Sequence, residues 1–148
     1  MSIRFDVPGR PVPQGSLRAF KAKSGAIVTP QQPKVLSWRG SVQSAYLRAA
    51  DARPARSPEP SDAAFYVAVE FYFKRPKAHL TSKGLAKASA PLAHTQSPDV
   101  DKLLRSILDA LTGYVWHDDK QVVTVHGDKS WSDRDYASIQ IVPLEDPE

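Results

Sequence analysis

The chain has 148 residues, 20 Lys/Arg against 16 Asp/Glu for a net charge of +4, and no cysteine. The missing cysteines exclude disulfides, zinc–thiolate sites and thiol catalysis, and no apolar run approaches the ~18–20 residues that span a bilayer. The charge is unevenly spread: residues 1–98 hold fifteen basic and five acidic side chains, whereas residues 99–148 hold five basic and eleven acidic. A basic half joined to an acidic half suits a protein that grips a polyanion and places metal ions on it.

Ile3-Arg-Phe-Asp-Val alternates apolar and polar residues and predicts a first strand. That alternation lacks the apolar core of a signal peptide, so a cytoplasmic protein is expected. Pro8 to Ser16 is a loop fixed by three prolines and two glycines, and Arg10 belongs to it. Arg18, Lys21 and Lys23 follow, and Ala26-Ile-Val-Thr is a short strand, so residues 16–29 form a basic hairpin around Lys23-Ser-Gly25. Val35, Trp38, Val42, Tyr46 and Leu47 recur at helical spacing and predict a helix over 34–51, with Arg39 and Arg48 on its polar side. Residues 53–62 are a proline-rich connection.

Phe65 to Phe73 is β-branched and aromatic, the strongest strand signal in the chain, and its near-continuous apolarity implies a central strand with both faces covered. Lys74, Arg75 and Lys77 open a long connection to Pro98, with a short helix expected near 80–88. Val100, Leu103, Leu104, Ile107, Leu108 and Leu111 then give one apolar helical face. Thr112-Gly113 ends that helix. Strands follow over 121–126 and over Ala137 to Val142, the latter ended by Pro143. The expected architecture is one domain over 1–148: an α/β (mixed α+β) sheet with two main helices packed on it, in the order β-β-α-β-α-β-β.

The chemistry concentrates around the second helix. Asp99 and Asp101 stand at its start, and Asp118 and Asp119 just beyond its end. Folding the helix back on a strand is expected to bring both pairs to one end of the unit. Clustered carboxylates of this kind hold Mg²⁺, a hard cation that takes oxygen ligands. Singly, each residue has an ordinary explanation. Asp at a helix start caps free N–H groups, and Asp118-Asp119 can form a turn into a strand. Asp101, Arg105 and Asp109 lie four apart and can pair along one face. The four histidines show no metal-ligand spacing, although His117 adjoins the second acidic pair.

Together these residues form a pattern. Asp99-x-Asp101-x-Leu103-x-Arg105-x-x-x-Asp109-Ala-Leu111, then Asp118-Asp119-x-Gln121-Val, resembles the signature of the RusA family of Holliday junction resolvases. Val7-Pro-Gly-Arg-Pro-Val-Pro and Phe71-Tyr-Phe-Lys-Arg-Pro are similar to that family's N-terminal half. The resemblance implies a homodimeric, Mg²⁺-dependent endonuclease, with Mn²⁺ able to substitute, that nicks four-way DNA junctions symmetrically in recombination and repair. Its hosts would be bacterial or phage-encoded systems.

On matching positions, Asp99, Asp101 and Asp119 would be catalytic metal ligands, with Asp118 in support. Two positions depart from the family pattern. Lys102 replaces its usual Asn, and Arg105 replaces its usual Lys. Arg105 keeps the positive charge but cannot donate a proton near neutrality. Arg10, Arg18, Lys21, Lys23, Lys74, Arg75, Lys77 and Lys102 are the expected DNA contacts. A catalytically weak junction-binding protein and a Mg²⁺-dependent phosphoesterase for small phosphoesters are the competing readings.

Overall fold

A computed structural model describes residues 2–15, 20–21, 27–28, 33–51 and 59–144. Its elements are β1 (Ile3–Pro8), β2 (Phe20–Lys21), β3 (Ile27–Val28), α1 (Pro33–Asp51), β4 (Ala64–Lys74), α2 (Val100–Leu111), β5 (Val122–Ser132) and β6 (Tyr136–Leu144). The order matches the expected one, with the predicted hairpin resolved into its two short arms, β2 and β3. Arg18 and Lys23 lie outside the described residues, and of Lys21 only the backbone is described.

Four strands form one mixed sheet in the order β1-β6-β4-β5. β6 runs antiparallel to both β1 and β4, whereas β4 and β5 are parallel. A parallel pair requires a crossover, and the connection from β4 through α2 to β5 supplies it.

Alternation decides which side of the sheet is covered. Phe65, Val67, Val69, Phe71 and Phe73 of β4 point one way and are fully buried, joined by Ile3 and Val7 of β1 and Ile139 and Ile141 of β6. Trp38, Val42 and Tyr46 of α1 and Leu103, Ile107 and Leu111 of α2 close the same core. Gly127 of β5 lies under α2, where an added Cβ would come within 2.7 Å of Leu104 Cδ1. Glycine here lets helix and strand approach closely.

The opposite face is open, which corrects the expectation of two covered faces. Glu70 is exposed there, and Tyr72 stacks on Tyr136 at 4.4 Å between ring centroids. Apolar residues on the outer positions, Tyr66, Ala68 and Tyr72, make the run continuous, although among the described residues no second layer buries them.

The helix expected over 80–88 is absent. A 3-10 turn spans Lys77–His79, and an antiparallel bridge joins Leu80 to Ala86. Gly84 there has φ +79°, incompatible with a helical turn. β5 runs six residues beyond the predicted strand, and β6 continues through Pro143 to Leu144.

Candidate active site

Both acidic pairs are set by the crossover. Because β4 and β5 are parallel, α2 must run back antiparallel to them, so its start lies toward the C-terminal ends of these strands and its end toward their N-terminal ends. The 12-residue helix separates those ends by about 18 Å. The expectation that both pairs share one end of the unit is therefore overturned: Asp118 and Asp119 sit where α2 stops and β5 begins.

At the first end Asp99 occupies the N-cap position in extended conformation, yet its side chain makes no capping hydrogen bond. Its carboxylate instead faces Lys102 Nζ at 3.6 Å. The ordinary structural role of such an aspartate is thus unfilled. Asp101 is exposed in the first turn. Arg105 is exposed one turn on, and forms no ion pair among the described residues.

The segment leading into α2 is fastened from below. Lys129 of β5 donates through Nζ to Gln96 O at 2.7 Å and Pro98 O at 2.9 Å. His94 is buried, stacked on Trp131 at 4.0 Å and edge-on to Phe73 at 4.8 Å. Burial, with the Lys129 charge adding to it, lowers the His94 pKa below its usual value.

Arg75, an expected DNA contact, is largely engaged by the same connection. It donates to Pro91 O at 2.8 Å, and its guanidinium lies 5.9 Å from the Trp131 ring centroid. Lys74 and Lys77 are exposed nearby. Arg10 lies at this end too, 5.2 Å over the Phe73 ring and 4.0 Å from Asp135.

At the second end Asp118 caps a 3-10 turn by accepting from Lys120 N at 2.9 Å. Gln121 completes the motif. Its Oε1 accepts from His117 N and Asp118 N, while its Nε2 donates to Ser61 O and Ala63 O, both at 2.8 Å. One amide thereby ties the acidic loop to the start of β4. Asp119 has its pKa raised, first by desolvation and then by the charges of Asp118 and Asp109. Asp109 does not pair with Arg105. Arg39, expected on the polar side of α1, reaches across to bond its Oδ2 at 3.1 Å. His117 contacts Asp62 at 3.2 Å and lines a recess with Asp109, Asp118 and Asp119.

Nothing in the local pattern announces this Arg39–Asp109 bridge, since the partners are 70 residues apart. Gln121 was visible only as a motif letter.

A family model described as Endodeoxyribonuclease RusA matches residues 8–142. The chain belongs to the RusA endodeoxyribonuclease family. That family comprises nucleases of the Holliday junction resolvase type. No curated protein matches the chain.

A divalent cation is the cofactor that RusA-type chemistry implies; Mg²⁺ is commonly held by one or two carboxylates together with substrate phosphates and water. Asp99 and Asp101 at one end of α2 and Asp118 and Asp119 beyond the other are the oxygen donors that could hold it. Among the described residues no three Asp, Glu or His side chains converge to hold a metal. Asp119 is influenced by Asp118 and Asp109, not by the pair at the other end of α2.

Proposed function

We propose that this RusA-family chain is a Mg²⁺-dependent, structure-selective endonuclease that resolves four-way DNA junctions by paired symmetric nicks. It acts as a homodimer in recombination and repair, in a cytoplasm of bacterial or phage-infected origin. The observation that carries the reading is Asp99: it stands at the head of α2 with its carboxylate withheld from capping, on the rim of a basic cleft, in a chain matched to junction nucleases over nearly its whole length.

A homodimer also answers the separation of the acidic pairs. A two-fold axis across α2 runs neighbouring helices antiparallel, so the start of one lies beside the end of the other. The edge of β5 supports such a contact, because Val123 and Val125 are 62% and 45% exposed on a strand paired on one side only. Unpaired apolar edges favour pairing with another chain. Asp99 and Asp101 of one protomer would then work with Asp118 and Asp119 of the other.

Mg²⁺, when bound, supplies an activated water and offsets charge on the phosphorane. The chain's own residues do the rest. Arg105 presents a fixed positive charge one turn beyond Asp101, suited to stabilising a developing oxyanion. The basic end of the sheet holds DNA through phosphates. Gln121 keeps the acidic loop in place. The weak-binder reading draws on the Lys102–Asp99 ion pair, which ties up a carboxylate that a metal would need.

Mixing inactive variants tests the reading. Asp101→Asn and Asp119→Asn should each lower cleavage of a four-way junction about 10³-fold while leaving binding intact. Co-refolded as a mixture, half the dimers carry one protomer of each kind and one undamaged composite site. About a quarter of wild-type sites should return, seen as nicked rather than resolved junctions. No recovery would place each site within one protomer, and uncut junction with wild-type protein plus Mg²⁺ would leave only the weak binder.

A further inference from the structure

Beside Asp99 lies a cleft of about 570 Å³ whose rim carries Arg10, Lys34 and Lys102. Its walls come from parts of the chain far apart in sequence: the proline-rich loop after β1, the first turn of α1, and the Ser97–Asp99 segment. Those walls are held in register. Gln14 N donates to Lys102 O at 3.0 Å, Gly9 N donates to Asp135 O at 3.2 Å, and Lys129 fastens Pro98 from beneath. Pro11 and Pro13 add two fixed φ angles. The cleft is thus set by the fold before any ligand arrives.

Its three cations differ in what already occupies them. Lys102 faces Asp99, and Arg10 faces Asp135. Lys34 is exposed and forms no ion pair among the described residues. It leaves an uncompensated ammonium on a rim where, among the described residues, the one carboxylate is Asp99.

Resting on the nuclease reading above, we infer that this cleft seats the sugar–phosphate segment next to the phosphate that is cut, and that Lys34 holds a phosphate there. The volume suits a nucleotide-sized occupant. Exposed ammonium groups suit phosphate oxygens and carry no base preference. Sharing Asp99 with the carboxylate pair puts the seated segment directly beside the chemistry, so Lys34 positions the strand from the first turn of α1.

The test uses wild type, Lys34→Ala, Lys34→Arg and Lys83→Ala, the last an exposed lysine of the 75–98 connection away from the cleft. Each is assayed for binding and cleavage of an immobile four-way junction, alongside a thermal melt. The same junction is also made with single uncharged methylphosphonates flanking the cut. Lys34→Ala should bind about 3–10-fold more weakly at moderate salt, with the slope of log K against log salt shallower by roughly 0.9. Lys34→Arg should recover most of that loss, and Lys83→Ala should match wild type. At one flanking position the methylphosphonate should weaken wild type yet leave Lys34→Ala unaffected.

Equal binding by Lys34→Ala and wild type overturns the inference. So does a loss that adds to every methylphosphonate, and the wild-type methylphosphonate series stands even if a variant misfolds. Failure of wild type to cut strikes at the nuclease reading instead, and is distinct from all of these.

Discussion

The two ends of the β4–α2–β5 unit carry similar acids in opposite surroundings. At the start of α2, Asp99 shares a cleft with Arg10, Lys34 and Lys102, and its carboxylate already faces an ammonium. At its end, Asp109, Asp118 and Asp119 crowd together with Arg39 bonded to Asp109, and Asp119 has its pKa raised by burial and by its neighbours. The first end gathers cations around its carboxylates, whereas the second gathers carboxylates with Arg39 bonded to one of them. A phosphodiesterase needs both properties at one place. On the proposed reading, one copy of the chain contributes the two ends to different sites of a dimer.

The sharpest way to break this comparison is at Arg105, a cation with no ion-pair partner among the described residues, at the end proposed to hold phosphate. Arg105→Ala should lower single-turnover cleavage at saturating Mg²⁺ by about 10²-fold, whereas Arg105→Lys should stay within about tenfold. The ordering follows if the position supplies charge alone, since Arg cannot exchange a proton near neutrality. Wild-type rates for the Ala variant would reduce Arg105 to a solvated surface residue.

A smaller effect sharpens the account of the same end. Lys74 and Lys77 are exposed, whereas Arg75 is held by Pro91 O and Trp131. Replacing Lys74 and Lys77 with Ala should make the salt slope of junction binding shallower by about 1–2 units without altering the melting temperature. Replacing Arg75 should instead loosen the connection and lower that temperature. Reversed outcomes would exchange their roles.

The smallest effect probes the acidic end. A carboxyl whose folded-state pKa is raised binds its proton more tightly when folded, so its contribution to stability is lost as pH rises through that pKa. Asp119→Asn removes the penalty. In EDTA the variant should melt about 1–2 °C above wild type at pH 7, and the difference should vanish below the usual carboxylate range. A variant no more stable at pH 7 would mean Asp119 bears no burden from its neighbours.

Much of the frame was legible in the sequence because each element carried its own period. The alternation of Ile3, Phe5 and Val7 and the spacing of Leu103, Ile107 and Leu111 depend on local geometry alone, and both match the burial observed. What failed depended on partners. The run Phe65 to Phe73 announces a strand, but whether Tyr72 is covered depends on a second layer that no described element provides. Placing the acidic pairs required the sense of the β4–β5 pairing, which is parallel and sends α2 the opposite way. Residues between a helix and the next strand lie where the helix stops, so Asp118 and Asp119 were bound to the far end once that pairing was known. The Arg39–Asp109 bond and the cleft around Lys34 join segments dozens of residues apart, beyond the reach of any periodic signal.

The four bonds made by the Gln121 amide have a consequence for how the molecule opens. They join two adjoining backbone N–H groups of the acidic loop to two carbonyls preceding β4, the strand at the sheet's centre. Local fluctuations usually begin in exposed loops with little anchorage. Here the loop cannot lift without unzipping the approach to β4 as well. Amide exchange at His117 and Asp118 should therefore follow that of the neighbouring sheet and not that of a free turn, making the acidic loop part of the same cooperative unit as the central strand.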